Sequence, residues 1–358
     1  MRAISANNYS IYFNEEAYSF LNKKIDEKKY SKIFILTDAN SHEYCLPHFL
    51  PHLTTETAIE IIEMEAGEAN KNIDTCVQVW HVLTELGGDR KSLMINLGGG
   101  VVTDLGGFVA STFKRGIDFI HIPTTLLSMV DASVGGKNGV DLGNLKNQVG
   151  VINNPLMVLI DPIYLHTLSK DEFRSGMAEM LKHGLIYDEA YWNLFTDLNQ
   201  ENYLEIKNLD QLIYRSVEIK NEIVTQDPRE NGLRKALNFG HTLGHAIESY
   251  FLENENKTTL LHGEAIAVGM ILESYIAQEK ELLSFEDYLI VKNVIDAVYD
   301  TVDFDKTDIE HIIELLIHDK KNEYGTIQFA LIDGIGKPAI NQTADNELIF
   351  KAFDAYKN

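Results

Sequence analysis

Short apolar runs alternate with longer amphipathic stretches over about the first 160 residues of the chain. Five of the short runs are rich in branched residues and are bounded by turn-forming or capping residues, which is typical of strands. They are KIFILTD (32–38), AIEIIEME (58–65), SLMINLGGG (92–100), FIHIPTT (119–125) and MVLIDP (157–162). Helical patterns lie between them, for example over 72–86 and 101–113. The alternation predicts βαβ units and a mostly parallel sheet, with ligands beyond the carboxyl ends of the strands.

The pattern changes after about residue 161, where helical periodicity replaces the strand-like runs. The clearest helical segments are LSKDEFRSGMAEMLKHGLI (168–186), LDQLIYRSVEIKNEIV (209–224) and GEAIAVGMILESYIAQE (263–279). One late run, GTIQFALID (325–333), predicts a short hairpin strand. We therefore predict an α/β domain over 1–162 and a mainly α-helical domain over 163–358.

Charge and composition narrow the classes of partner. The 358 residues include 31 Lys and Arg against 54 Asp and Glu, a net charge of −23, which argues against nucleic acid and anionic lipid as partners. An anionic substrate must then be attracted by a local cluster of cations. Cys45 and Cys76 suit reduced thiols with incidental roles. With no apolar leader at the N-terminus and no apolar run of about 18 residues, we expect a cytoplasmic protein that does not span a membrane.

A glycine-rich turn follows the third predicted strand. In INLGGGVVTDLGG, the glycines 98–100 would let backbone amides approach a pyrophosphate at the positive end of a helix, although the spacing differs from G-x-G-x-x-G. A plain tight turn, with Asp104 as a favourable charge in the first helical turn, is the alternative. Upstream, Glu68 and Lys71 in GEANK follow another strand end, where a carboxylate can bind ribose hydroxyls.

The run HIPTTLLSMVDASVGGKNGVDLGNLKNQVG (121–150) combines hydroxyl, carboxylate, amide and cationic side chains with many glycines. The polar members are Thr124, Thr125, Asp131, Lys137, Lys146 and Asn147. The turn 135–137, Gly-Gly-Lys, resembles an anion-binding turn but lacks the P-loop spacing. We favour a phosphate or polyol site over the alternative of a solvated loop.

Two histidines stand four residues apart in LNFGHTLGHAIES, so His241 and His245 share one face of a predicted helix. Such a pair alone is often incidental. However, LLHGEAIAVGM adds His262, and GMAEMLKHG adds Glu179 with Lys182 one turn further on. One glutamate and two histidines with an open position form the pattern of a catalytic zinc site.

Cations lie in and around these segments. They are Lys182, Lys220, Arg234, Lys320 and Lys321. Each alone suits a solvated surface, but beside a metal they suggest a multiply anionic substrate with phosphate and carboxylate groups. His183, next to Lys182, is expected to be structural.

These motifs together resemble the 3-dehydroquinate synthase family of sugar-phosphate cyclases. The resemblance runs nearly from end to end through GEANK, LGGGVVTDLGGFVASTFKRG, IPTTLLSMVDASVGGK, LKNQVG, GMAEMLKHG, LRKALNFGHTLGHA, LHGEAIAVGM and DKKNEYG. The chain departs from the family pattern at Asn138, where Thr is usual, at Ser175, where Asn is usual, and in NLKN, which replaces a commoner GKN. The resemblance implies that 1–162 is an NAD-binding α/β domain and that 163–358 is a helical, metal- and substrate-binding domain.

The resemblance also implies roles for the matching residues. It implies that Glu179, His241 and His262 bind the metal, which is Zn²⁺ or Co²⁺. It implies that NAD is surrounded by twelve residues, which are Asp38, Asn40, Glu68, Lys71, Gly99, Gly100, Val101, Asp104, Thr124, Thr125, Lys146 and Thr167. Around the substrate it implies Arg115, Asp131, Lys137, Asn147, Lys182, Lys220, Arg234, Asn238, His245 and one of Lys320 and Lys321. His245, Lys182, Glu230 and Arg234 are the expected catalytic residues, and Arg115 is expected to reach a neighbouring subunit's site in a homodimer.

The implied reaction is that of a carbon–oxygen lyase, the second step of the shikimate pathway to aromatic amino acids. It converts 3-deoxy-D-arabino-heptulosonate 7-phosphate to 3-dehydroquinate and phosphate through a transient NAD-dependent oxidation. The alternatives are a metal-dependent alcohol or polyol dehydrogenase, a cyclase for another sugar phosphate, and a binding module without catalysis. Lys137, Asn147, Arg234 and Asn238 favour the first, because a phosphate and a carboxylate both need partners.

We expect different roles for the paired histidines. If His245 joined Glu179, His241 and His262 on the metal, four protein ligands would close a tetrahedral site, whereas a catalytic site must admit substrate. The resemblance assigns His241 to the metal and leaves His245 facing the substrate, where we expect it to transfer protons near the departing phosphate. The alternative for His245 is that it only orients a metal ligand.

Overall fold

A computed structural model describes residues 1–143, 145–316 and 327–357 of the chain. The chain forms two compact units, which are unit 1, Met1–Ser169, and unit 2, Lys170–Asn358. The 3-10 helix Pro162–Thr167 falls within unit 1, so this boundary lies after the one predicted at residue 162.

Unit 1 alternates strands with helices. Its strands are β1 (Ile4–Ser5), β2 (Ser10–Phe13), β3 (Ile33–Asp38), β4 (Ile59–Met64), β5 (Leu93–Gly98), β6 (Asp118–Pro123), β7 (Lys137–Leu142), β8 (Leu145–Ile152) and β9 (Met157–Ile160). Its helices are α1 (Glu16–Lys28), α2 (Ala39–Tyr44), α3 (Leu46–Phe49), α4 (Ile73–Glu85) and α5 (Gly100–Thr112).

A seven-stranded sheet organises unit 1 in the order β1-β2-β9-β6-β5-β3-β4. Only the β1–β2 pair is antiparallel, so the predicted parallel α/β architecture is confirmed. Every residue of β5 is buried, as expected for a central parallel strand that is covered on both faces. Phe34 of β3, Met94 of β5, and Val102 and Val109 of α5 belong to one hydrophobic core. The sheet therefore holds the carboxyl ends of β3, β5 and β6 side by side.

Two glycines of α5 make room for buried amides. A Cβ on Gly106 would lie 2.1 Å from Oδ1 of Asn96, and one on Gly107 would lie 1.8 Å from Oδ1 of Asn138. Both asparagines are buried, and Nδ2 of Asn96 lies 3.2 Å from Nδ1 of the buried His121. The LGG part of the motif is thus explained by packing against polar side chains that larger residues would displace.

The β7–β8 hairpin was not predicted from the apolar pattern. Gly139 and Gly150 are paired across it, and a Cβ on Gly139 would lie 2.8 Å from the carbonyl oxygen of Val149. Asn138 donates hydrogen bonds to the carbonyl oxygens of Gly136 and Asn153, which ties the start of β7 to the residues after β8. Residues 137–142 and 145–152 therefore form an ordered hairpin, although β8 is largely exposed.

Unit 2 is mainly helical, as predicted. Its helices are α6 (Lys170–Tyr187), α7 (Glu189–Trp192), α8 (Leu209–Gln226), α9 (His241–Glu253), α10 (His262–Glu279), α11 (Phe285–Asp296), α12 (Lys306–Leu316) and α13 (Asn346–Tyr356). The strands β10 (Phe329–Ile332) and β11 (Pro338–Gln342) form an antiparallel hairpin, which confirms the predicted late strand.

Helix α10 is the centre of unit 2. It packs against α6, α9, α11 and α13, and most of its residues are buried. A helix that is apolar on every side belongs in a protein interior. Among the described residues, every helix is too short or too polar to cross a bilayer.

Candidate active site

Glycines bring α9 and α10 into close contact at the histidine motif. A Cβ on Gly269 of α10 would lie 2.0 Å from the carbonyl oxygen of Gly240, and one on Gly244 of α9 would lie 2.8 Å from Cδ1 of Ile266. The two backbones approach more closely than side chains would allow. This approach explains why the histidines of the two helices share one place: a nitrogen from each of His241, His245 and His262 lies within 4.8 Å of the others.

Glu179 of α6 faces these histidines. Its Oε1 lies 3.3 Å from Nε2 of His241 and 3.7 Å from Nε2 of His262, while its Oε2 contacts Nζ of Lys182. Glu179 is completely buried, and neither of its oxygens accepts a hydrogen bond of good geometry from the described residues. A buried carboxylate and two imidazole nitrogens thus converge, which is a donor set suited to Zn²⁺ or Co²⁺.

The other ring nitrogens of the two histidines are engaged with acceptors. Nδ1 of His241 donates to the carbonyl oxygen of Phe239 at 3.1 Å, and Nδ1 of His262 lies 3.3 Å from Oε2 of the buried Glu248. With a metal ion bound, a proton held at Nδ1 would leave the Nε2 lone pair of each ring available to that ion. Such outer partners are usual around histidines that bind metal.

The surroundings shift the pKa values of the clustered side chains in different directions. Burial, together with Lys182, lowers the pKa of His241 to about 4. Burial opposes charge on His262 as well, but Glu248 and Glu179 outweigh it and raise the pKa of His262 to about 9. Burial alone would raise the pKa of Glu179, yet Lys182 and His241 hold it well below its usual value. Glu179 is therefore an anion, as a carboxyl group must be to bind a metal ion.

His245 lies within reach of the same cluster. Its ring centroid is 5.0 Å from that of His241 and 5.7 Å from that of His262, and it is more exposed than His241. The described geometry accommodates His245 either as a ligand or as a neighbour of the ligands, so its role stays a prediction. His183, on the same helix as Glu179, bonds through Nδ1 to Oγ of Ser216.

A loop before α9 carries further predicted site residues. Asp227 accepts hydrogen bonds from the backbone N–H groups of Asn231, Gly232 and Arg234 at 2.7–3.1 Å. Within this loop Nδ2 of Asn238 donates to Oε1 of Glu230 at 2.8 Å. Arg234 is buried and donates to the carbonyl oxygen of Pro228. The loop, which includes the 3-10 helix Leu233–Asn238, thus ties Asn238 to Glu230 and Arg234 to Pro228.

The NAD candidates of unit 1 follow the carboxyl ends of four parallel strands. Asp38 ends β3 and caps α2, Glu68 follows β4, Gly99 follows β5, and Thr124 follows β6. Gly99 provides no side-chain cap for α5, and a Cβ there would lie 3.0 Å from Cγ2 of Thr125. The start of α5 therefore presents backbone amides next to Gly100 and Val101, as a pyrophosphate requires. Asn40 is exposed on α2.

Lys71 connects several candidates. Its ammonium group donates to Oδ2 of Asp104 at 2.7 Å and to Oδ1 of Asn147 at 2.8 Å, and Lys146 lies 3.4 Å from Glu68. Burial opposes its charge, but Asp104 and Glu68 outweigh burial and raise the pKa of Lys71. Asn147, predicted for the substrate, is thus bonded to a residue predicted for NAD.

A cysteine lies among the NAD candidates. Thr167, Thr124 and Asp38 all lie close enough to the thiol of Cys45 to influence its pKa. Burial raises the pKa of this thiol. Cys45 was expected to be incidental, and its surroundings were not predictable from its position in the sequence.

The remaining candidates occupy varied positions. Lys220 is buried on α8, Lys137 is exposed at the start of β7, and Arg115 is exposed with a left-handed φ of 70°. Asp131 belongs to the π-helical turn Ser128–Ala132. Lys320 and Lys321 lie outside the described residues.

Two buried carboxylates next to the cluster were missed in the sequence. Glu248 follows His241 and His245 at a helical spacing that puts all three on one face. Glu273 interrupts an otherwise apolar stretch, AVGMILES, and a polar residue in such a stretch signals a buried partner. Both signals were present, but only the structure gives the partners.

Comparison with family models matches both halves of the chain. The model described as 3-dehydroquinate synthase N-terminal matches residues 61–175, and the model described as 3-dehydroquinate synthase C-terminal matches residues 176–322. A 3-dehydroquinate synthase of Parabacteroides distasonis is 44% identical over 331 residues, which cover 92% of each chain. That of Prochlorococcus marinus is 40% identical over 92% of this chain and 91% of its own.

Solved structures resemble the whole chain. A 2-deoxy-scyllo-inosose synthase complexed with carbaglucose-6-phosphate, NAD⁺ and Co²⁺ has a TM-score of 0.86 at 26% identity and covers 99% of both chains. A 2-epi-5-epi-valiolone synthase from Streptomyces hygroscopicus has a TM-score of 0.82 at 24% identity, which shows a shared fold. The matched models, together with relatives of 40–44% identity over most of the chain, establish that it belongs to the 3-dehydroquinate synthase family.

Proposed function

We infer that the protein converts 3-deoxy-D-arabino-heptulosonate 7-phosphate to 3-dehydroquinate and phosphate. The observation that carries this inference is the convergence of Glu179, His241 and His262 beside Lys182, in a chain that is 44% identical to a 3-dehydroquinate synthase over 92% of its length. A simple dehydrogenase also needs NAD and metal, but it needs no cluster of buried cations for a phosphorylated acid. Lys182, Lys220 and Arg234 are each buried, and we propose that they bind such a substrate.

A divalent metal and NAD are the cofactors, as in the related inosose synthase. Glu179, His241 and His262 would hold the metal, which when bound polarises the hydroxyl that is oxidised. Glu68 and the amides at Gly99 and Gly100 would hold NAD, which when bound accepts and later returns a hydride. No reducing equivalents are consumed overall.

The chain's own residues bind, orient and move protons. We assign Arg234 and Asn238 of the 227–238 loop to anionic oxygens of the substrate, because a guanidinium and an amide can donate several hydrogen bonds to them. Lys182 is only 1% exposed, so its positive charge is shielded from water and acts strongly on a nearby anion. We assign His245 to proton transfer, since it lies beside the metal ligands and an imidazole can donate or accept a proton near neutral pH.

We further propose a homodimer in which Arg115 reaches the site of the neighbouring subunit. Its exposure and left-handed backbone suit a side chain that is presented outward. Sedimentation should give twice the chain mass, and Arg115→Ala should lower turnover without changing metal content. The proposed compartment is the cytoplasm, which accords with two buried free thiols, Cys45 and Cys76.

The test of the reaction is an assay of phosphate and NADH together. Purified protein with metal, catalytic NAD⁺ and the heptulosonate phosphate should release phosphate continuously with no net NADH. NADH formed in proportion to substrate, without phosphate, would instead indicate a dehydrogenase. Turnover of a hexose phosphate or a heptulose phosphate in a parallel panel would indicate a cyclase of another specificity.

A further inference from the structure

The residue before helix α9 is a glycine, which has no side chain with which to cap the helix. Gly240 precedes the helix with a left-handed φ of 76°, and a Cβ there would lie 2.5 Å from Cγ of Met270 and 3.1 Å from the carbonyl oxygen of Ile266. The side chain of a Ser, Asp or Asn, which usually accepts hydrogen bonds from the first amides of a helix, is therefore excluded. The helix that carries His241 and His245 needs its cap from elsewhere.

Glu273 of α10 supplies this cap. Its side chain is completely buried, its Oε2 accepts a hydrogen bond from the N–H of Gly240 at 2.7 Å, and its Oε1 accepts one from the N–H of Leu243 at 3.0 Å. The two amides flank His241, the first residue of α9. A carboxylate at this end also interacts favourably with the helix dipole.

We propose that Glu273 is a positioning residue for the metal site, an inference that rests on the proposed function. Two bonds to the amides around His241 fix where α9 starts and how it is rotated about its axis. They thereby fix the direction of Nε2 of His241 relative to Glu179. Since a metal site needs its ligands held to within about 0.5 Å, loss of this cap should weaken metal binding although Glu273 is not itself a ligand.

The test compares Co²⁺ binding by the whole protein with and without the cap. Glu273→Gln keeps the volume and one acceptor oxygen but turns an NH₂ group toward an N–H donor. Titrated with Co²⁺ alone, this variant should bind at least about 10-fold more weakly than the wild type, with shifted visible absorption bands. A role confined to general stability would leave those bands unchanged.

Two control variants separate positioning from charge and from stability. Glu279→Gln makes the same chemical change at a more exposed position of the same helix. Asp345→Ala removes a cap from α13, where Asp345 accepts a hydrogen bond from the N–H of Leu348 at 2.8 Å. Both should bind Co²⁺ with the affinity and the absorption bands of the wild type.

Wild-type affinity and bands in folded Glu273→Gln would overturn the proposal. If Glu273→Gln does not fold, Glu273→Asp is judged by the same criteria, and failure of both to fold would make Glu273 a core residue and also overturn it. A wild-type protein that binds no Co²⁺ would contradict the proposed function, and the inference with it, so the two failures are distinguishable.

Discussion

His241 and His245 are neighbours on one helical face but differ in their surroundings. His241 is buried and its Nδ1 bonds to the carbonyl oxygen of Phe239, so its Nε2 is directed to Glu179. His245 is more exposed and lies beside the cluster. The surroundings of His241 suit a metal ligand, whereas the exchange of protons between His245 and the substrate stays a prediction.

This difference leads to a prediction for two substitutions. His241→Ala should lose the metal, because a ligand is removed from a set of three. His245→Ala should keep the metal and lower turnover by about 10²-fold or more, because an acid–base group is removed. Metal content and turnover are measured on the same preparations, with His311→Ala as an exposed control. Loss of metal from His245→Ala would show that His245 is a ligand.

His121 in unit 1 should make stability depend on pH. Burial lowers the pKa of His121 to about 3, and an unfolded histidine titrates near 6.5, so between these values only the unfolded chain takes up the proton. Stability is therefore lost as pH falls below about 6.5, by up to about 1.4 kcal/mol per pH unit. Denaturant unfolding of unit 1 from pH 7 to pH 5 should show a steeper loss in the wild type than in His121→Gln.

The exposed His81 provides the matched control for this measurement. His81→Gln makes the same change on the same unit but should retain the wild-type slope. Equal slopes for the wild type and His121→Gln would contradict the assignment of this pH dependence to His121.

At the scale of elements, the packing of α9 on α10 should be intolerant of a single methyl group. In Gly269→Ala the new Cβ would lie 2.0 Å from a backbone oxygen, which cannot move without shifting α9. In Gly244→Ala the nearest atom, at 2.8 Å, is the end of the Ile266 side chain. Chemical denaturation should show a loss of about 1–3 kcal/mol for Gly269→Ala and a smaller loss for Gly244→Ala.

Metal affinity should follow the same order, since displacement of α9 moves His241 away from His262. If Gly244→Ala proved the more damaging substitution, the Ile266 side chain and the Ala265 carbonyl oxygen, at 2.8 and 3.0 Å from the new Cβ, would be less adaptable than the backbone of α9. A Gly269→Ala variant with wild-type stability would show that α9 and α10 do not approach each other so closely at Gly269.

Elements with a strong apolar pattern were predictable, and those built on glycine were not. The strands β3, β5 and β9 are continuous apolar runs, and α10 is a long one with helical spacing, so each was recognised. The β7–β8 hairpin was not predicted, because its pairing depends on Gly139 and Gly150, which contribute no side chains to a hydrophobic pattern.

The candidate metal ligands were recognised by their chemistry, while their supporting carboxylates were not. Glu179, His241 and His262 belong to motifs whose residue types indicate metal chemistry. Glu248 and Glu273 act through a ring nitrogen and through backbone amides, and these partners come within reach only because of how α9 and α10 cross. The angle at which two helices cross is set by packing between them, so no local pattern in either helix specifies it.

At the scale of the whole molecule, buried cations contrast with an acidic chain. The net charge is −23, yet Lys71, Lys182, Lys220 and Arg234 are all buried. Burying a charge is costly unless it has a partner, so these cations are not surplus surface charge. Lys71 pairs with Asp104 and Lys182 with Glu179, and under the proposed function these four cations would also receive anionic groups of the cofactor and substrate.

Removal of the metal should affect the whole of unit 2 and not only turnover. A chelator should abolish turnover, because it removes the ion that we assign to Glu179, His241 and His262, and Zn²⁺ or Co²⁺ should restore turnover. The melting temperature of unit 2 should also fall on chelation, since an ion that binds only the folded state stabilises it. Full activity in metal-free buffer, confirmed by metal analysis, would exclude the assigned ligands.

The first turn of α10 has a consequence for how quickly an ion can escape. His262 is the first residue of this helix. Two residues of α6 stabilise its first turn: Oγ of Ser175 accepts a hydrogen bond from the N–H of Gly263, and Arg174 forms an ion pair with Glu264. Fraying of that one turn would free His262 while the buried remainder of α10 stays folded. Ion release would then require only a local opening. The rate of amide hydrogen exchange at residues 263–264 should therefore match the rate of ion release.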